Sequence, residues 1–242
     1  MTAAANALGI GLSGLLVTAA CGQPAPPVLT GHAPLGEPAG PAPAVAWADH
    51  AITTTGLPAI ARDGSSIVVA HRDSDGGRGN PNVTLVEKDR GDRELGRFVV
   101  ITADDVDRLD AHALELRFTA AAGWLDQRHA ARRLTAMTAL VTRPPTDDAP
   151  AQAAGAGLTL RWAPNQLVLE RAGGAAVTRE TPASWLAADH PLCPTCREIC
   201  HNDAFLAGGY ADLERSAAVV VVGFRGSDTC WEPGSQEHVV VW

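Results

Sequence analysis

The chain has 242 residues, 46% of them hydrophobic, 19% charged and 5% aromatic, which fits one ordinary globular domain with additional segments and excludes a large multidomain assembly. A formal net charge of −8 argues against broad electrostatic capture of nucleic acid or of an anionic membrane surface. No nucleotide loop, zinc-protease helix or hydrolase elbow stands in the sequence, so any partner is recognised by local chemistry.

Residues 3–20 read AAANALGIGLSGLLVTAA, an uncharged apolar run that ends in small residues and is followed at once by Cys21. This is the layout of a secretory signal, and the run is too rich in Gly and Ala for a membrane span. The first Lys or Arg of the chain is Arg62, so no stop-transfer flank follows. The segment Val17-Thr18-Ala19-Ala20-Cys21 resembles the lipobox of bacterial lipoproteins. That resemblance implies removal of residues 1–20 as a signal peptide, lipidation of Cys21, and an exported protein held at the periplasmic or outer-membrane face. The alternative is an ordinary leader cut after a small-x-small site. Cysteine parity points the same way as the lipobox, because setting Cys21 aside leaves four cysteines, Cys193, Cys196, Cys200 and Cys230, all near the C-terminus. Lys88 is the sole lysine, and with so much Ala, Gly and Pro this suggests a GC-rich bacterial genome.

Residues 21–46 are rich in Pro, Ala and Gly with Glu37 as the one charged side chain, a composition that cannot offset its ordering entropy and reads as an extended tether. A single domain is expected over residues 47–242. Its first part alternates short apolar runs with turn residues: strands at 57–61, 66–70, 83–87 and 98–102, with Asp63-Gly64 as a hairpin turn. The period then changes. Thr102 and Asp105 form a capping pair, and Val106, Leu109, Ala113, Leu116 and Ala120 recur at helical spacing. A second helix is predicted over 127–141, with Ala130, Leu134, Met137 and Val141 on one stripe and Pro144-Pro145 as its stop, Gly123 separating or bending the two. Residues 146–157 read as a second linker. Strands follow at 158–162, 166–170, 175–178, 217–224 and 237–242, the run AAVVVVGF as a central strand with the closing HVVVW beside it. Strands, then helices, then strands predict an α+β domain, a mostly antiparallel sheet with one or two helices (about 103–142) packed on one face. The stretches GLPAIARDGSSIVVA and TLRWAPNQLVLE also resemble the opening strand pair of the propeller repeats of the periplasmic TolB family, each keeping part of the repeat.

The densest chemistry is the run from His190 through Cys193, Cys196 and Cys200 to His201, with Cys230 thirty residues on. In an exported protein four such thiols are expected to oxidise into two disulfides, with three pairings open. The alternatives are a zinc shell built from Cys193, Cys196, Cys200 and Cys230 with His201 or His190, and a redox-active Cys193–Cys196 pair, while the Cys196-to-His201 spacing is wrong for covalent haem attachment. The acceptor-rich loop 73–82 lacks the closing Glu of a calcium loop and reads as a solvated hairpin loop. Arg225, Asp228, Trp231 and Glu232 form a candidate binding loop between two strands, pinned through Cys230. Ser184 and His190 have no triad spacing. The functional expectation is a lipid-anchored, non-catalytic envelope protein without a cofactor, a binding or structural module whose partners are the membrane through its anchor and another envelope protein or a small ligand. The rival is an exported metal-binding or redox protein that uses the cysteine cluster.

Overall fold

A computed structural model describes residues 42–48, 51–74, 80–144, 151–163, 166–180, 184–186, 201–225 and 234–242, all inside one compact unit from Pro38 to Trp242. The first elements are an antiparallel pair, β1 (Ala44–Ala48) and β2 (Ala51–Thr55). β1 starts within the stretch whose composition reads as tether. Its alternation is the reason: Val45 is buried and Trp47 sits on Phe118 with ring centroids 5.8 Å apart.

The first sheet contains β3 (Ala59–Ile60), β4 (Ser66–Ser74), β5 (Pro81–Asp89) and β6 (Glu94–Ile101). Asp63-Gly64 makes the predicted turn between β3 and β4: Gly64 takes φ 71°, its N–H donates to the Ala61 carbonyl at 2.8 Å, and the Asp63 carboxylate accepts from the Ser65 N–H at 2.9 Å.

Helix α1 (Ala103–Arg108) opens with a reciprocal capping box: the Thr102 hydroxyl accepts from the Asp105 N–H, and the Asp105 carboxylate accepts from the Thr102 N–H at 2.9 Å. Helix α2 (Ala111–Arg132) starts one residue after Asp110, whose carboxylate accepts from the Ala113 N–H at 2.8 Å. The helix boundary therefore falls at Leu109-Asp110, and Gly123 lies inside α2.

The predicted second helix over 127–141 does not form beyond Arg132. Arg133 adopts a left-handed backbone (φ 51°) that ends α2, and the chain continues as β7 (Thr135–Ala136), β8 (Thr138–Ala139) and β9 (Val141–Arg143). β-branched Thr135, Thr138, Val141 and Thr142 favour this extended path. Leu134 and Met137, three apart, share a helical stripe but point to opposite sides of an extended chain, and they are buried in different cores.

β10 (Ala151–Gly155) occupies part of the expected linker at 146–157; its Ala and Gln carry a weak apolar signal, yet Ala151 and Ala153 are buried. It turns through Ala156 and Gly157, both at positive φ, into β11 (Leu158–Ala163), followed by β12 (Gln166–Arg171) and β13 (Val177–Glu180). The last strands are β14 (Ser184–Leu186), β15 (His201–Asp212), β16 (Ala217–Arg225) and β17 (Gln236–Val241). The sequence does not signal β15, which carries Gly208-Gly209 and a bulge between Leu206 and Gly208.

These strands pair antiparallel in three larger sheets, ordered β6-β5-β4-β3-β7, β13-β12-β11-β10-β9 and β14-β15-β16-β17, with β8 also on β15. The TolB-like stretches are both antiparallel pairs, β3 with β4 and β11 with β12, in different sheets. As predicted, β16 is central with β17 beside it. Its alternate residues feed two cores. Ala217 and Val219 pack with Ile60, Ile67 and Val69 of the first sheet, whereas Ala218, Val220 and Val222 pack with Leu160, Leu167 and Leu169. On the far face of the first sheet, Ala59, Val68 and Leu85 meet Phe118, Ala121 and Leu125 of α2. The antiparallel sheet and two helices of the expectation are present, but strand dominates: the layers run helix, sheet, sheet, sheet, so the domain is mainly β rather than a balanced α+β.

Buried Glu87 of β5 fastens α2 to its sheet, with Arg128 Nε at 3.2 Å and Arg132 Nε at 3.0 Å, while Arg128 also lies over the Trp124 ring. Between the middle sheet and the sheet of β11 the layers come close at Gly209, where a Cβ would come 2.7 Å from Leu160 Cδ1 and 3.3 Å from Ala153. Gly209→Ala is therefore expected to lower stability by about 1–3 kcal/mol in urea unfolding, and adding Leu160→Val, which shortens the opposing side chain, to recover part of the loss. Wild-type stability in the single variant would contradict this close layer packing.

Candidate functional site

Edge strand β17 organises the most heavily bonded polar cluster among the described residues. β17 pairs with β16 on one side only, and its outer side would present bare backbone groups. Side chains from the neighbouring sheets cover them instead. His71 of β4 hydrogen-bonds the Ser235 backbone, Lys88 of β5 donates to the Glu237 carbonyl, Arg179 of β13 donates to the Val239 carbonyl, and the Val239 N–H donates to Asp92 at 2.9 Å.

Asp92 is the node. It sits in the β5–β6 turn at φ 65°, a left-handed position that Asp tolerates better than most residues. The turn is held by Asp89, whose carboxylate accepts from the N–H groups of Gly91 (2.8 Å) and Arg93 (3.0 Å). The Asp92 side chain is only 9% exposed, and besides Val239 it takes Lys88 Nζ at 3.1 Å, Arg179 Nη2 at 2.7 Å and His238 Nδ1 at 3.1 Å. Burial pushes its pKa up, but the hydrogen bonds from His238 and Val239 and the charge of Lys88 outweigh that and hold it at about 2. Beside it, His71 Nδ1 lies 3.1 Å from Glu237 Oε2. The hydrogen bond to Glu237 raises the His71 pKa against the opposing effect of burial, and the charges of Glu237 and Asp73 add to the rise.

Two clefts flank this cluster. One, of about 330 Å³, is lined by Lys88, Asp92, Arg97 and His238. The larger, of about 490 Å³, lies between β2 and β4, with Ile52, Leu57 and Val69 as apolar wall and Thr54, Arg72 and Glu237 as polar groups. Glu237 lines both clefts.

Of the residues singled out from sequence, Cys21, Cys193, Cys196, Cys200, Cys230, His190, Asp228, Trp231 and Glu232 lie outside the described residues. His201 begins β15 opposite Leu186 of β14, Arg225 ends β16 opposite Asp203 of β15, and Ser184 opens β14. In the acceptor-rich stretch, Asn82 instead accepts from the Ala103 N–H at 2.7 Å and Asn80 donates to Asp107 at 3.1 Å, tying β5 to α1. Among the described residues no three His, Cys, Asp or Glu side chains converge on a metal position. Sequence reasoning missed Asp92, His238, Arg179 and the His71–Glu237 pair; the one available signal was the solitary Lys88 close to Asp92. No known protein family, curated protein or solved structure matches this chain.

The two shifts act at opposite ends of the pH scale. The lowered pKa of Asp92 stabilises the fold above the ordinary 3.8, and this is lost as pH falls towards about 2. The raised pKa of His71 stabilises it below the ordinary 6.5, and this is lost as pH rises through the raised value. Urea unfolding across pH should show both limbs, with Asp92→Asn flattening the acid one at a cost of at most about 2 kcal/mol near neutrality, and His71→Gln flattening the alkaline one. A pH profile unchanged in both variants would count against the cluster as the link between the sheets.

Proposed function

We propose that this is a lipid-anchored cell-envelope protein, held at the membrane through Cys21, whose domain is a non-catalytic binding module that takes its ligand in the cleft between β2 and β4. The cleft is the observation that carries the reading: about 490 Å³, within the size range of ligand sites, with Ile52, Leu57 and Val69 set beside Thr54, Arg72 and Glu237. Its acidic group, Glu237, is engaged by His71 in joining two sheets, which favours binding over proton transfer. The Pro-, Ala- and Gly-rich residues after Cys21 supply the length of chain that would carry the domain away from a bilayer. The ligand belongs to another envelope component, a protein or a small molecule.

Expressed with its leader in a bacterial host, the protein is expected in the membrane fraction and Cys21→Ala in the soluble fraction. Equal membrane association of the two would remove the anchor from the reading. For the cleft, a fragment screen followed by protein-observed NMR should move the resonances of Ile52, Leu57 and Val69 before others. Fragments that bind and perturb only distant residues would overturn the cleft as the site.

A further inference from the structure

We infer that the cleft receives an extended peptide, which adds as a strand to the open half of β4 and places a carboxylate opposite Arg72. This rests on the binding reading above and specifies the ligand.

The open half of β4 follows from the pairing. β3 pairs with two residues of β4, Ala59 with Val68 and Ile60 with Ile67, and stops there. On its other side β4 keeps an unbroken register with β5 from Ser66 opposite Asp89 to Ser74 opposite Pro81. The Ser66 carbonyl accepts from the Ala61 N–H at 2.9 Å, so the backbone groups of Ser66 face β3. In a regular antiparallel ladder every second residue faces the same way, which turns those of Val68, Ala70 and Arg72 to that side too. Val68 meets β3. Ala70 and Arg72 lie past its end, and Ala70 has no backbone partner on that side among the described residues.

Across the gap runs β2, whose one partner among the described strands is β1. The cleft is lined by Ile52, Thr53 and Thr54 from β2 and by Val69, Ala70 and Arg72 from β4, so it occupies the place of a missing strand. Val221 and Tyr210 of the middle sheet also line it. From Val69 to Arg72 β4 advances about 10 Å, room for about three to four extended residues. Gly234 closes the far end: a Cβ there would come 2.5 Å from the Arg72 carbonyl oxygen and 2.9 Å from Asp73 Cα, so the incoming backbone pairs at Ala70 and only its side chain reaches the Arg72 guanidinium.

Alternation then assigns the side chains. One residue of the incoming strand faces Val69 and Val221 and is apolar, and its neighbours face outward. Charge assigns the rest. Glu237 is already hydrogen-bonded to His71 at 3.1 Å, whereas among the described residues the Arg72 guanidinium donates to the neutral Thr54 hydroxyl at 2.7 Å and pairs with no carboxylate. Exchanging that neutral acceptor for a carboxylate gives a stronger, charge-assisted bond.

The probe is a phage-displayed pool of short random peptides selected against the exported, folded protein, with the recovered sequences made synthetically and their binding measured by fluorescence anisotropy. The expected peptides pair an apolar residue with an acidic one. Ala70→Pro, which removes an N–H that β5 does not use, should weaken them about tenfold or more while circular dichroism and thermal unfolding stay near wild type. Arg72→Gln should abolish the preference for the acidic residue. N-methylation along the peptide should impair binding at alternate positions, an arm that does not depend on how any variant folds. Equal tolerance of N-methylation at every position, or failure of the pool to yield a binder, overturns strand addition. Thr53→Trp, at an exposed residue of the cleft wall, fills the cleft without entering the core and separates the two levels: if it abolishes binding of N-methyl-tolerant peptides, the cleft still binds and only the strand is wrong, whereas unimpaired binding by Thr53→Trp overturns the cleft as well.

Discussion

Edge strand β17 has to be covered, and Asp92 is the group that covers it while joining three sheets. Its carboxylate takes the Val239 N–H of β17, Lys88 of β5 and Arg179 of β13, so one buried charge is shared by all three β layers. A lone buried carboxylate would be costly, and this one is stable because each oxygen has cationic or N–H donors. The same contacts mask backbone groups that would otherwise invite pairing with another chain. Removing any one donor leaves the others facing a less satisfied charge, which makes the cluster a unit rather than a set of separable pairs.

The layering has the same economy. β4 and β16 each send alternate residues into two different cores, and such strands read as continuous apolar runs because both faces are buried. The outer layer is closed by α2, where Glu87 reaches through to Arg128 and Arg132. Small residues appear where layers come close, as at Gly209 against Leu160. The cleft is the place where this stacking is incomplete, since β3 stops after two residues while β4 continues for six more beyond Val68. An internal strand cut short leaves part of its neighbour's backbone edge without a strand beside it.

Much of the fold was legible in the residues. The Asp63-Gly64 turn, the capping pair at Thr102 and Asp105, the apolar run of β16 and the closing strand beside it are local chemistry, and each forms as read. Misreadings occurred where one spacing serves two periods, as with Leu134 and Met137, or where small residues hid a buried strand, as at Ala151–Gly155 and in glycine-bearing β15. Of the polar cluster only the solitary Lys88 near Asp92 gave a sign, because Asp92, Arg179 and His238 are far apart in sequence.

By itself the sequence determined the periods, the turns, the caps and the antiparallel character, since these depend on neighbours a few residues apart. Only the tertiary structure decided that the strands divide into three stacked sheets, that Asp92 holds them at the edge of β17, and that a gap opens between β2 and β4. The reason is physical: burial on a second face, the partner of a carboxylate and the length of a strand beside its neighbour are set by residues many tens of positions away, and no local pattern records them.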